Sequence, residues 1–242
     1  MKYLTIDTTT KITALSLAES GKLIGEGFLH TGKTHSERLI PMLDQLLNAA
    51  DWKLGDLDLI GVVRGPGSFT GIRIGMATAQ GLAQVLGIPL MGLTSLDVLA
   101  WAGKNRQEET VVILDARKNE YYYARYRWRE QQKELTAEPQ AITPEHLLEE
   151  LRKNKQKFYF VGDAVPGAQE YLKLELGERA IIPEEYQYLP RGAYAACETW
   201  EKWLGSAKQS QDQSKLEPLY IRLSEAEVNY RKKHLEKEET GR

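Results

Sequence analysis

Residues Gly65-Pro66-Gly67-Ser68-Phe69-Thr70-Gly71-Ile72-Arg73 set three glycines and two hydroxyls between the apolar run Leu59–Val63 and a helix-like segment from Ile72. A strand, a tight glycine loop and a helix N-terminus in that order present free backbone N–H groups. Two chemistries suit such a place. The loop can cradle an anion such as a nucleotide phosphate, or its bare backbone can admit another segment at close range. No Gly-Lys-Ser/Thr follows and the G-x-G-x-x-G spacing is broken, which excludes a P-loop and a dinucleotide fingerprint. A second candidate is the turn Asp7-Thr8-Thr9-Thr10, whose carboxylate and hydroxyls could hold a metal-bound phosphate, although Asp and Thr also simply make good turns. Asp7, Thr8, Gly65, Gly67, Ser68 and Thr70 are therefore the candidate nucleotide or ligand residues.

Other reactive side chains are sparse. His30, His35, His146 and His234 are scattered, with no H-x-x-x-H or H-E-x-x-H spacing, so no metal site is expected. His35 lies inside the capping box Thr34-His35-Ser36-Glu37 and is read as structural or interfacial. No G-x-S-x-G elbow supports a serine nucleophile. Cys197 shares helical spacing with Tyr194, Trp200 and Leu204, a core pattern. From 121 to 129, Tyr121, Tyr123, Arg125, Arg127 and Arg129 alternate with Tyr122, Ala124, Tyr126 and Trp128. The basic stripe is expected to be a solvated strand face, with RNA contact as the alternative.

The elements that must position these residues follow from period and punctuation. Strands are expected over 2–7, 12–17 and 23–29. The capping box then announces a helix with Leu39, Leu43, Leu46, Leu47 and Ala50 on its apolar side, and Pro41 predicts a kink or a later start. A strand over 57–63, a helix over 72–86, a short strand at 89–92 and a short helix over 95–102 complete a unit. In the 72–86 helix Gly71, Gly75, Ala79 and Ala83 recur every four residues, leaving one face nearly bare for close packing on its own sheet or on another subunit.

The pattern then restarts. Val111-Val112-Ile113-Leu114-Asp115 and its polar turn echo Tyr3-Leu4-Thr5-Ile6-Asp7, and strands over 120–128, 133–141 and 157–161 with helices over 144–152, 165–175 and 191–205 follow. The second turn, 115–119, has no glycine, so a matching phosphate clamp is not expected there. The chain reads as α/β with two duplicated lobes, 1–105 and 106–205, hinged in 103–109, and a linker and C-terminal tail over 206–242. Pro218-Leu219-Tyr220-Ile221-Arg222 is expected to dock within that last stretch.

Composition sets outer bounds. Of 242 residues 42% are hydrophobic and 27% charged, ordinary for a globular chain, and the net charge of −2 provides no global field to recruit nucleic acid or an acidic membrane. A single cysteine excludes an internal disulfide and fits a reducing compartment. No run nears the ~18 apolar residues of a membrane span, and the polar turn after a four-residue alternation at the N-terminus is unlike a signal peptide. A cytoplasmic location is expected.

Several segments together resemble the TsaB (YeaZ) family of the bacterial threonylcarbamoyladenosine tRNA-modification system. They are Leu4–Thr8, His35–Pro41, Gly65–Gly75, Leu114–Arg117 and Pro218–Arg222, the third being the most specific. The resemblance implies an actin/hsp70-like (ribonuclease H-like) fold, in agreement with the repeat. It implies that Ser95 and Leu99 stand where the catalytic relative TsaD carries two metal-ligand histidines, and hence a paralogue with no catalytic residue, metal or cofactor of its own. It further implies a TsaD-like partner and a TsaE-like ATPase, with ATP held by or through those subunits and tRNA met only through the complex. Pairing would use the helices after His35 and Gly71, giving His35, Leu39, Leu43, Leu46, Gly71, Gly75, Ala79 and Ala83 as interface residues, and the same seam would close a homodimer when the chain is alone. A metal-dependent glycoprotease-like peptidase and an ATPase or kinase of the same fold are the alternatives.

Overall fold

The computed structural model describes residues 1–32, 34–206 and 216–222. Strands β1 (Lys2–Asp7), β2 (Ile12–Glu19) and β3 (Lys22–His30) form an antiparallel meander. Helix α1 (His35–Ala49) leads to β4 (Leu59–Val63), which pairs parallel with β1, and α2 (Phe69–Leu86) leads to β5 (Leu90–Leu93), parallel with β4. The sheet order is β3-β2-β1-β4-β5, and α3 (Ser95–Leu99) follows it.

The second lobe repeats the plan. Strands β6 (Glu109–Asp115), β7 (Tyr121–Arg129) and β8 (Gln132–Ile142) form a meander, then α4 (Pro144–Arg152), β9 (Phe158–Val161), α5 (Val165–Leu176) and β10 (Ala180–Ile181) close a sheet ordered β8-β7-β6-β9-β10. Counted within each lobe, both sheets run third-second-first-fourth-fifth. The expected duplication is therefore present in strand order and direction. The first strands, β1 and β6, are central and covered on both faces, which explains why each reads as a nearly continuous apolar run.

Three expectations need correction. Helix α1 starts directly at its Thr34–Glu37 capping box, where Thr34 N–H donates to Glu37 Oε2 at 3.0 Å, and it continues through Pro41. After α6 (Glu185–Tyr188), helix α7 (Gly192–Gly205) leaves the second lobe, to which 106–205 assigned it, and packs on the first sheet. Its Ala195 and Ala196 bury against Tyr3, Leu59 and Leu93, and Trp200 stacks on Tyr3 with ring centroids 6.0 Å apart. The sequence pattern fixes a helix and its apolar side but not which sheet receives it.

The third correction concerns β7. Its basic stripe is only partly solvated: Tyr123 on that face is fully buried and Arg125 and Arg127 converge on buried Glu109, while Arg129 at the strand's end is exposed. Arg125 Nε lies 2.8 Å from Glu109 Oε2, and Gln156 donates to the same oxygen at 2.6 Å. Arg125 and Arg127 are thus engaged by Glu109, and Arg129 lies beside Glu134.

Candidate functional site

The glycine loop and the Asp7–Thr10 turn meet directly. Ser68 N–H donates to the Thr9 carbonyl at 2.6 Å, and Thr8 Oγ1 donates to the Gly71 carbonyl at 2.7 Å. A Cβ at Gly67 would lie 2.2 Å from the Thr9 carbonyl oxygen, and one at Gly71 would lie 2.0 Å from that of Thr8. Farther along α2, a Cβ at Gly75 would meet Thr8 Oγ1 at 2.3 Å. These glycines admit the chain's own backbone at the distance where a phosphate cradle would admit an oxygen anion. Ser68 caps α2, accepting from Gly71 N–H at 3.2 Å.

Asp7 is turned inward. It is 2% exposed and accepts from Thr9 N–H at 2.9 Å and Thr9 Oγ1 at 2.7 Å. Burial holds its carboxyl above the usual carboxylate range, with the two Thr9 bonds acting in the opposite sense. His35 is equally engaged, with Nδ1 2.8 Å from Thr13 Oγ1 and Nε2 2.9 Å from the Thr10 carbonyl, so it fastens the start of α1 to the turn.

Between the lobes lies a cleft of about 980 Å³. Of the six candidate ligand residues, Gly67, Ser68 and Thr70 line it, whereas Asp7, Thr8 and Gly65 do not. The opposite wall carries Asp115 and Arg117 of the second turn, together with Asp163, and Lys11 lies beside the first turn. Sequence reading did not single out Asp163 or Lys11, which are lone residues far apart in the chain that no local motif marks.

Asp163 accepts from Asp115 N–H at 3.0 Å, and its carboxyl is pushed up to about 6, chiefly by burial and further by the Asp115 charge. A carboxyl raised on folding binds more protons in the native state, so it favours folding at low pH and that contribution disappears as pH rises through about 6. Asp163→Asn keeps an acceptor for Asp115 N–H and removes the titration. Melting temperatures measured from pH 4.5 to 8 are expected to gain most from this substitution at the alkaline end.

The expected subunit-interface residues are mostly internal. Leu39, Leu43, Ala79 and Ala83 are buried in the first lobe's core, and Gly71 and Gly75 pack on Thr8. Leu46 is half-buried against Gly25 of β3. The bare face of α2 therefore packs on its own lobe, which corrects the seam drawn from these residues. The outward face of α2 is small and apolar too: Ala77, Gly81 and Val85 are exposed, with Val85 84% exposed. Ile40 of α1 is 52% exposed.

Ser95 and Leu99 are packing residues. Ser95 Oγ donates to the Pro66 carbonyl at 2.5 Å, tying α3 to the glycine loop, and Leu99 is buried where the two cores meet. Among the described residues, no three His, Cys, Asp or Glu side chains come together as a metal site. No helix among them is long and apolar enough to cross a membrane.

The family model described as "TsaD: tRNA N6-adenosine threonylcarbamoyltransferase" matches residues 29–230. The tRNA threonylcarbamoyladenosine biosynthesis protein TsaB of Bacillus subtilis (strain 168) is 32% identical over 230 residues, 95% of this chain and 98% of the relative. The chain belongs to the TsaB (YeaZ) family. The Escherichia coli (strain K12) TsaB is 30% identical, covering 92% of this chain and 95% of its own length. The solved YeaZ structure from Pseudomonas aeruginosa superposes with a TM-score of 0.77 at 25% identity, covering 90% of this chain and 99% of that one. In this TsaB-family chain the two lobes repeat one strand order, and the glycine loop is closed by its own first turn.

Proposed function

We propose that this chain is a non-catalytic partner subunit in tRNA threonylcarbamoyladenosine synthesis. It supports a TsaD-like subunit, which transfers threonylcarbamoyl to the adenosine next to the anticodon, together with a TsaE-like ATPase. The observation that carries this reading is the closed glycine loop. With Thr8 and Thr9 carbonyls set against Gly71 and Gly67, acceptor oxygens fill the space that phosphate oxygens need, and two acceptors repel. ATP and tRNA would accordingly be met through the partner subunits. The packing roles of Ser95 and Leu99 support the same reading, since a buried Leu offers no metal donor.

Pairing, with the TsaD-like subunit or with a second copy when that subunit is absent, would use the outward faces of α1 and α2. Exposed Gly81 and Ala77 let another helix approach closely, Val85 continues the same face of α2, and Ile40 is exposed on α1. A Cβ at Gly81 meets nothing within 4 Å, so Gly81→Arg is expected to leave the monomer's melting temperature unchanged or higher. The same variant should weaken co-purification with the TsaD-like subunit at least tenfold and lower tRNA modification accordingly. Reconstitution with each component omitted tests the whole reading. Transfer of threonylcarbamoyl to tRNA by this chain alone would overturn it.

A further inference from the structure

The Pro218–Arg222 motif has no part in that reading, yet residues 216–222 run from contacts with the first lobe to contacts with the second. Leu216 is buried in the first lobe's core, and Ile221 packs against the cluster built mainly from the second lobe, which also takes in Ile12 and Ala14 of β2. Between these anchors, Leu219 N–H donates to the Arg64 carbonyl at 2.7 Å, and Arg64 Nη1 donates to the Glu217 carbonyl at 3.1 Å. Gln80 of α2 donates to the Leu216 carbonyl at 3.1 Å. Tyr220 stacks on Phe69 with centroids 4.9 Å apart, and its hydroxyl accepts from Arg73 Nε at 3.1 Å. At the far end Arg222 Nη1 donates to Glu120 Oε2 at 2.6 Å, next to the second lobe's turn.

Gly65 belongs to this arrangement. Its φ is +115°, and a Cβ there would lie 2.5 Å from the Leu219 carbonyl oxygen. The first glycine of the family's loop is therefore the seat of this segment. Tyr220 and Arg222 also line the interlobe cleft, so the segment crosses its mouth.

We propose that residues 216–222 are a latch that holds the two lobes closed over the cleft. A segment anchored in both cores must release one end before the lobes can part. The second-lobe end is the weaker, resting on Ile221, the Arg222–Glu120 pair and a 3.5 Å approach of Arg222 to the Ala116 carbonyl. The first-lobe end has a buried leucine, a ring stack and several hydrogen bonds. Release is thus expected at Glu120, swinging the latch out on its Gly65 seat.

Amide hydrogen exchange on the full chain tests this without any partner. Arg222→Glu and Glu120→Arg should each speed exchange in residues 114–120 and 220–222 about tenfold, the scale of one charge-assisted hydrogen bond, with Leu219 N–H still protected at its seat. Exchange in β1 and β4 should not change. The double variant, with the charges swapped, should return toward wild-type protection, which mere loss of a side chain would not do. Wild-type exchange in both single variants, or no recovery in the double, overturns the latch. If β1 protection also falls, Arg222→Gln is read in the same windows, and wild-type exchange there overturns it equally.

Discussion

Gly71→Ala is expected to destabilise the fold by about 3 kcal/mol, at the upper end for overpacking a filled interior. The added methyl would sit 2.0 Å from the Thr8 carbonyl oxygen, and that oxygen is backbone in a buried turn. Thr8 cannot turn aside, because its own hydroxyl is bonded to the Gly71 carbonyl at 2.7 Å. Either α2 moves off β1 or the Asp7–Thr10 turn is displaced, and the second outcome would uncover Asp7. Urea unfolding should show a lower midpoint with an unchanged slope. The contrast with Gly81 is instructive, since both lie in α2 and alanine or a larger residue is favoured by helix propensity at either. At Gly81 nothing opposes that preference; at Gly71 a carbonyl does. A stability loss at Gly71 with none at Gly81 separates the inward small face from the outward one.

That difference also marks the limit of what was legible in the sequence. The duplicated topology could be read because turns, caps and apolar periods are local, and the two Asp-ending strands with their meanders repeat them in order. The spacing of Gly71, Gly75, Ala79 and Ala83 announced close approach, but small residues carry no label for what approaches. Here it was Thr8, more than sixty positions away. The β7 stripe was misjudged in part for a similar reason: alternation separates two faces of a strand, and only the placement of Glu109 shows that Arg125 and Arg127 are paired. Asp163 and Lys11 had no motif to betray them, because the cleft assembles them from different lobes. The helix α7 was correct as a helix and wrong as to its lobe, since an apolar stripe fits any sheet that offers matching area.

Glu198→Ala is expected to cost about 3–5 kcal/mol, the scale for breaking a buried ion pair by removing one partner. Glu198 on α7 is 4% exposed; it accepts from Trp101 Nε1 at 2.7 Å and from Lys133 of β8, whose side chain is 11% exposed. Removing the carboxylate leaves the Lys133 ammonium with the Asp97 carbonyl at 2.9 Å and the Asp97 carboxylate at 3.9 Å, which offset only part of the loss. Tyr126 donates to that same carboxylate at 3.1 Å, so the network is shared between the lobes. Glu198→Gln should do less damage, because the amide oxygen can still accept from Trp101. The double variant Glu198→Leu with Lys133→Met should recover part of the stability, since apolar groups of similar volume replace the desolvated pair, while Trp101 Nε1–H is left without its acceptor. Its value lies in what remains missing. The pair joins α7, seated on the first sheet, to a strand of the second, so it fixes how the lobes are set against each other. A double variant that regains this stability but shows faster exchange at 114–120 would assign the pair to lobe register; recovery of both would assign it to stability alone.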